Sequence, residues 1–301
     1  MEVGQSNTKF DDLRWVRTLP SERVLILRKL FRRVGFFSIG GKKMQRLSKE
    51  NIYQIYTENI RYANYQLEVI RCQARQLAGE YYWYISKGKE SQIRRELINE
   101  LKAVTNLYAY ILGNRFELQL MKILHESSSA AFSETELENI KKKGTIYDKW
   151  FECIHVSFAK SKCIDWTDID GINLLELFQD QKNYLKDFQE IITMRNRLAH
   201  GQWSTQLNSN GTQEITLNAL DKYNDISKLV LLSKKLDIMV QIVETIVVYK
   251  DKYTKKFKEK LSHLIEESRI NDCRIEKSSL STYVKREVKV FDKKKSQKKF
   301  L

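Results

Sequence analysis

Residues 182–201 read KNYLKDFQEIITMRNRLAHG, and this stretch decides how the chain is expected to fold. Its apolar and aromatic side chains recur every three or four residues, which is the period of one face of an α-helix. The side chains on that face are Tyr184, Phe188, Ile191, Arg195 and Leu198. Arg195 therefore lies within an apolar stripe. An unpaired charge there costs free energy, so we expect this arginine to have a partner.

The remaining sequence favours the same fold class. The chain has one proline and eleven glycines in 301 residues, so few positions interrupt long helices. We therefore predict an all-α fold, a bundle of long helices. One exception follows Gly201, where Trp203, Thr205 and Leu207 alternate and an Asn-Gly turn comes next. That pattern predicts a small β-hairpin at residues 202–217. It is inserted after the helix that contains residues 182–200, which is here named the motif helix.

Breaks in the helical pattern divide the chain into four expected segments. They are a basic N-terminal helical segment (1–46), a long antiparallel helical hairpin (47–129), a helical domain that holds the motif helix and the β-hairpin (130–270), and a basic, flexible C-terminal tail (271–301). In the third segment we expect a short helix through Leu174 and Phe178, followed by the motif helix from near Lys182. From about Asn224 the helical period continues for some forty-five residues.

Positive charge is concentrated at the two ends of the chain. The net charge is +15, and residues 1–46 hold eleven Lys and Arg against four Asp and Glu, while residues 284–301 hold eight against two. Basic ends on a nearly neutral body are typical of a protein that binds a polyanion, although a solvated tail explains the last residues equally well. We expect Arg197, Lys293, Lys294 and Lys295 to contact the phosphates of such a polyanion.

Cysteine usage and apolar runs bear on the cellular compartment. Four cysteines without paired spacing favour a reducing cytoplasm, and no stretch approaches the roughly 20 apolar residues of a membrane span. Cys153, His155 and Cys163 match zinc spacing poorly, so we predict no metal site.

The chemistry-bearing residues are Arg195, Asn196 and His200. A guanidinium can hold a phosphate through two parallel hydrogen bonds, and an imidazole can transfer a proton near neutral pH. On a regular helix, His200 lies about 140° around the axis from Arg195. Because glycine favours the left-handed residue that closes a helix, Gly201 predicts a break that lets His200 turn towards the arginine or towards another subunit.

At these residues the sequence resembles the HEPN (higher eukaryote and prokaryote nucleotide-binding) family. Ribonucleases of that family carry an arginine, often followed by a polar residue such as asparagine, and four to six residues separate that arginine from a histidine. Four residues separate Arg195 from His200. The similarity covers roughly Thr145 to Lys250. One departure is Gln202, because some HEPN toxins have a tyrosine there that a partner enzyme modifies.

The resemblance implies a function. It implies a helical homodimer in which two motifs form one endoribonuclease site that needs no metal or cofactor, with Arg195, Asn196 and His200 as catalytic residues and RNA as substrate. It also implies a role in phage defence or in a toxin–antitoxin pair, with an antitoxin or defence protein as partner. Two alternatives remain open: a dimeric nucleic-acid-binding or regulatory module without cleavage, and a structural helical protein in which Arg195 pairs with a glutamate across the bundle.

Overall fold

A computed structural model of the chain describes residues 47–86, 92–126, 132–160, 172–200, 225–248 and 254–279. Within these ranges the regular elements are α-helices, which confirms the predicted all-α class. The predicted β-hairpin at 202–217 lies outside the described residues, as do the segment 1–46 and Lys293, Lys294 and Lys295. No helix in the described part of the chain combines the length and apolarity needed to cross a membrane.

Seven helices make up the described part of the chain. They are α1 (Lys49–Ser86), α2 (Gln92–Leu124), α3 (Glu134–Lys141), α4 (Ile146–Lys160), α5 (Leu174–Ala199), α6 (Ile226–Val248) and α7 (Lys255–Lys277). Six of them begin at a polar side chain that accepts a hydrogen bond from the first turn, namely Ser48, Ser133, Thr145, Asn173, Asp225 and Thr254. Such caps satisfy backbone N–H groups that have no partner inside the helix.

The two longest helices, α1 and α2, pack against each other in antiparallel orientation. Tyr56 near the start of α1 stacks on His125, just after the end of α2, with ring centroids 5.8 Å apart. Further along α1, Arg71 lines the same cleft as Tyr108 of α2. Helix α2 continues through Gly113 without a break, although glycine is a poor helix former.

Helix α2 lies at the centre of the bundle, with contacts to α1, α4, α5 and α6. Its fully buried Phe116 packs between Trp150 of α4 and Phe188 of α5, at centroid distances of 5.1 and 4.9 Å. The indole N–H of Trp150 donates to the Phe116 carbonyl at 3.0 Å. One continuous hydrophobic core runs from Leu67 to Leu264, so the helical hairpin and the helices after residue 130 share it. The predicted division at 129 stays a prediction.

Ion pairs of two buried cations with partly exposed carboxylates fix α6 against its neighbours. Arg115 of α2 donates to Ser233 at 3.0 Å and pairs with Asp237. On another side of α6, the Lys235 ammonium lies 2.9 Å from both Asp187 of α5 and Asp272 of α7. Each pair joins two helices, which restricts how α6 can slide along them.

Two expected helix boundaries were wrong. Helix α5 is continuous from Leu174 to Ala199, instead of a short helix followed by a separate one from Lys182, because no proline or glycine interrupts residues 174–199. The expected helix of some forty-five residues after Asn224 is instead two helices, α6 and α7. Helix α7 begins at Lys255 and has Thr254 as its N-cap, whose hydroxyl accepts a hydrogen bond from the Phe257 N–H at 3.3 Å.

Candidate functional site

The motif lies in the last turns of α5, where the helix still packs on the core. Ile191, Met194 and Leu198 are buried, while the side chain of Arg195 is 30 % exposed. The predicted apolar face is therefore present, and Arg195 lies at its edge with part of the guanidinium open to solvent. The side chain of Arg195 is thus partly exposed, at the edge of the core.

Three side chains hold the guanidinium of Arg195. Its Nε donates to Asn114 Oδ1 at 2.7 Å, its Nη1 donates to Asn196 Oδ1 at 2.9 Å, and its Nη2 donates to Glu117 Oε2 at 3.0 Å. Asn114 and Glu117 both belong to α2, so the arginine joins α5 to the central helix. This contact is the cross-bundle pairing with a glutamate that the structural alternative expects.

The guanidinium keeps hydrogen-bonding capacity after these contacts. Arginine has five N–H donors, of which two belong to each Nη and one to Nε. One donor on each nitrogen is used, so within the described residues one N–H on Nη1 and one on Nη2 have no protein acceptor. Two N–H groups on adjacent nitrogens suit a phosphate, which can accept both.

Gly113 brings α2 and α5 close together at this point. A Cβ atom placed on Gly113 would lie 2.6 Å from Arg195 Cβ and 2.9 Å from Arg195 Cγ. Contacts that short do not occur between real side chains, so a glycine is required for Arg195 to cross α2 here. The missing side chain also explains why Asn114 and Glu117, one and four residues further along α2, reach the guanidinium.

His200 ends α5 and is exposed. Its backbone N–H donates to the carbonyls of Arg197 at 3.1 Å and Asn196 at 3.2 Å, and its φ of −91° and ψ of 16° lie near the helical region. The helical hydrogen bonds therefore continue up to the histidine. Gly201, where we expect the helix to break, lies outside the described residues, so the turn of His200 towards Arg195 stays a prediction. On an ideal helix the two side chains would leave in directions about 140° apart.

The neighbouring motif residues differ in accessibility. Asn196 is exposed and orients the Arg195 guanidinium through the hydrogen bond to Nη1. Arg197 is half-buried, and its Nη1 is buried without a hydrogen-bond partner among the described residues. A contact of RNA with Nη1 of Arg197 would therefore require this side chain to move.

Other titratable residues occupy environments that sequence reasoning did not anticipate. Cys153 is fully buried, and burial raises the pKa of its thiol to about 12, whereas His155 two residues later is exposed. These two side chains therefore do not face a common site. Cys163 lies outside the described residues, and within the described part of the chain no group of three or more His, Cys, Asp or Glu is placed to hold a metal ion.

A cleft of about 290 Å³ lies between α1, α2 and α6 and does not include the motif. Its cations are all paired: Arg71 with Glu68, Arg115 with Asp237, and Lys234 with Glu267. The Nε atoms of both arginines are buried, so a ligand in the cleft would not reach them.

Sequence reasoning missed Gly113, Asn114 and Glu117, which build the surroundings of Arg195. Their contact with the motif joins residues about eighty positions apart, as in the bonds of Arg195 to Asn114 and Glu117. A lone glycine inside an uninterrupted helical pattern was the one available signal, because it indicates a close helix crossing.

Comparison with protein-family models, with curated proteins and with solved structures finds nothing that matches this chain.

Proposed function

We propose that this chain is an endoribonuclease of the HEPN kind, which cleaves RNA without a metal through Arg195, Asn196 and His200. The observation that carries the proposal is the state of Arg195: its guanidinium is held on three sides, is part exposed, and keeps two N–H donors on adjacent nitrogens. A preorganised cation of this kind stabilises charge on phosphoryl oxygens without having to reorient during the reaction.

The reaction is an internal transfer at phosphorus. The ribose 2′-oxygen forms a bond to phosphorus, the bond from phosphorus to the 5′-oxygen breaks, and the products are a 2′,3′-cyclic phosphate and a free 5′-hydroxyl. One proton leaves the 2′-hydroxyl and one is delivered to the departing 5′-oxygen. An imidazole can take the first and give the second, which is the role proposed for His200.

Two copies of the motif are required for this chemistry if α5 keeps its shape. In one copy Arg195 and His200 leave a regular helix in divergent directions. A twofold arrangement can bring the histidine of one copy to the arginine of the other. Because His200 is exposed at the end of its helix, it is free to meet such a partner.

The second candidate is a dimeric nucleic-acid-binding module that does not cleave. The ion pair between Arg195 and Glu117 favours it, because a carboxylate at 3.0 Å already neutralises the guanidinium. On this account the motif joins α5 to α2, and the basic ends of the chain contribute phosphate affinity.

Cleavage of end-labelled RNA in the presence of a chelator separates the candidates. We expect Arg195→Ala to slow cleavage by about 10²–10³-fold and His200→Ala by about 10²–10⁴-fold, as for loss of a charge-stabilising donor and of an acid–base group. Arg269→Ala and His263→Ala are matched controls, since both residues are exposed on α7. Full activity in either motif variant would refute the catalytic assignment, and binding without cleavage by the wild-type chain would support the module.

A further inference from the structure

We propose that Glu117 is an internal counter-anion of Arg195, which an RNA phosphate displaces, while Asn114 keeps the guanidinium in position. The inference rests on the proposed function, because it concerns how the same arginine receives its substrate. It assigns Glu117 to substrate affinity and Asn114 to the chemical step. Neither is a catalytic residue; both act through Arg195.

The two α2 partners of Arg195 differ in how firmly they hold it. Asn114 accepts a hydrogen bond from Nε at 2.7 Å in a part-buried contact. Glu117 accepts from Nη2 at 3.0 Å, and 48 % of its side chain is exposed. Exposed ion pairs contribute little because water solvates both charges. The carboxylate of Glu117 can therefore leave at small cost, while the amide of Asn114 stays.

A phosphate competes with Glu117 for the N–H groups at the Nη2 end of the guanidinium. Nη1 and Nη2 each keep one N–H without an acceptor among the described residues, and departure of the carboxylate frees a further N–H on Nη2. A phosphate and a carboxylate that share one guanidinium repel each other, so the phosphate binds better when Glu117 moves towards solvent. In the free protein, Glu117 keeps the cation neutralised and holds its Nη2 end in place.

Glu117 affects the affinity for RNA and Asn114 affects the rate of cleavage because they bond to different nitrogens of Arg195. When RNA is bound, Glu117 no longer touches Nη2, so its charge does not act in the transition state. Nε has a single N–H, which Asn114 accepts, so a phosphate that binds at Nη1 and Nη2 does not compete for it and this bond persists throughout. Loss of Glu117 therefore changes binding, and loss of Asn114 changes the position of the reacting cation.

Glu117→Gln tests the counter-anion directly, because it removes the charge and retains an oxygen that can accept from Nη2. We expect the KM for single-stranded RNA to fall several-fold and kcat to stay within about twofold. Because one more cation becomes available to a phosphate, a plot of log KM against log salt concentration should become steeper by about 0.7. Glu244→Gln is the matched control: Glu244 pairs with Lys122 of α2 at 2.7 Å, so it removes the same charge from a cross-helix pair that does not involve Arg195. It should change neither KM nor the salt dependence.

Asn114→Ala tests the positioning residue. We expect kcat to fall at least tenfold with little change in KM, because the guanidinium still attracts phosphate but is misplaced. Thermal melting of each variant checks that the fold is retained. A loss of kcat that merely tracks a loss of folded protein would argue for a structural role of Asn114.

The possible outcomes separate this inference from the proposed function. If the wild-type chain cleaves RNA through Arg195, and Glu117→Gln leaves KM and the salt dependence unchanged or lowers kcat alone, the counter-anion role is refuted and the nuclease stands. If RNA is bound but not cut, Kd replaces KM; tighter binding by Glu117→Gln then supports the inference while the nuclease falls. If RNA is neither bound nor cut, both are refuted.

Discussion

A single glycine in the middle of α2 determines where Arg195 can lie. Gly113 lets the arginine backbone and its first side-chain carbons approach α2 closely, and Asn114 and Glu117 then hold the guanidinium. The ion pair between Arg195 and Glu117 is part exposed on both sides, so it contributes at most about 1 kcal/mol to stability. Steric fit at Gly113, more than charge, therefore positions the motif.

Gly113→Ala should destabilise the protein and displace Arg195. The added Cβ would lie 2.6 Å from Arg195 Cβ, so α2 and α5 must separate. Forcing extra volume into a packed contact costs about 1–3 kcal/mol, and replacing a helical glycine regains about 1 kcal/mol, so we expect a net loss of up to about 2 kcal/mol. Urea denaturation measures the difference. Gly144→Ala is the control, because a Cβ there meets nothing within 4 Å, and an equal loss in both variants would disprove the crossing.

Sequence alone predicts the motif residues and their helix but not their surroundings. The three-to-four-residue period identifies the buried face of α5, and the position of Arg195 within it correctly predicts a partner for the arginine. The identity of that partner depends on which helices meet, and local pattern does not encode this. The same limit applies to His125, whose neighbours come from three different parts of the chain.

At the level of elements, a buried histidine lies where the end of α2 packs against the start of α1. His125 is 4 % exposed, and its Nδ1 lies 2.7 Å from the Met121 carbonyl while its Nε2 lies 3.5 Å from the Lys141 ammonium. Nδ1 therefore carries the proton, and Nε2 accepts from the lysine. Burial, followed by the charges of Lys141 and Lys49, lowers the pKa of His125 below its usual value, although the Met121 carbonyl opposes this.

Acid should destabilise the fold through His125. Because the folded pKa is depressed, the unfolded chain binds the proton more tightly, so the contribution of His125 to stability is constant above about pH 6.5 and decreases as the pH falls below it. Protonation also places an N–H of His125 against Lys141. We expect His125→Gln to lose less stability than wild type between pH 7.5 and pH 5, measured by denaturant unfolding. His263→Gln, at an exposed site on α7, should behave like wild type. Identical pH dependence in all three proteins would contradict the assignment.

Helix ends were harder to predict than helices. The start of α5 at Leu174 follows from Asn173, whose Oδ1 accepts from the Glu176 N–H at 2.9 Å. The cap is visible in the sequence, but we expected a short helix there and a separate helix from near Lys182, beyond the polar residues Gln179 and Asp180. They do not interrupt α5, because helices tolerate polar residues on their exposed side and even a buried glutamine such as Gln181.

At the level of the whole molecule, charge and symmetry connect the site to a substrate. The surplus of Lys and Arg lies at the two ends of the sequence. If Lys293, Lys294 and Lys295 contact RNA, their replacement by glutamine should weaken binding to all RNA sequences alike. It should also reduce the slope of log Kd against log salt by about 0.7 for each phosphate that a lysine neutralises in the wild-type complex. Filter binding at several salt concentrations measures this. An unchanged slope would mean that these lysines are merely solvated.

The central claim is that Arg195 and His200 of two copies act on one phosphodiester. The most direct measurement mixes Arg195→Ala and His200→Ala proteins, allows the subunits to exchange, and follows cleavage of labelled RNA with a chelator present. We predict that each variant alone keeps only a residual rate, at least about 100-fold below wild type. The mixture should regain part of the wild-type activity and yield cyclic-phosphate ends, because mixed dimers contain one intact arginine and one intact histidine. Cleavage by either variant alone at the wild-type rate, or a mixture no more active than its components, would contradict the account.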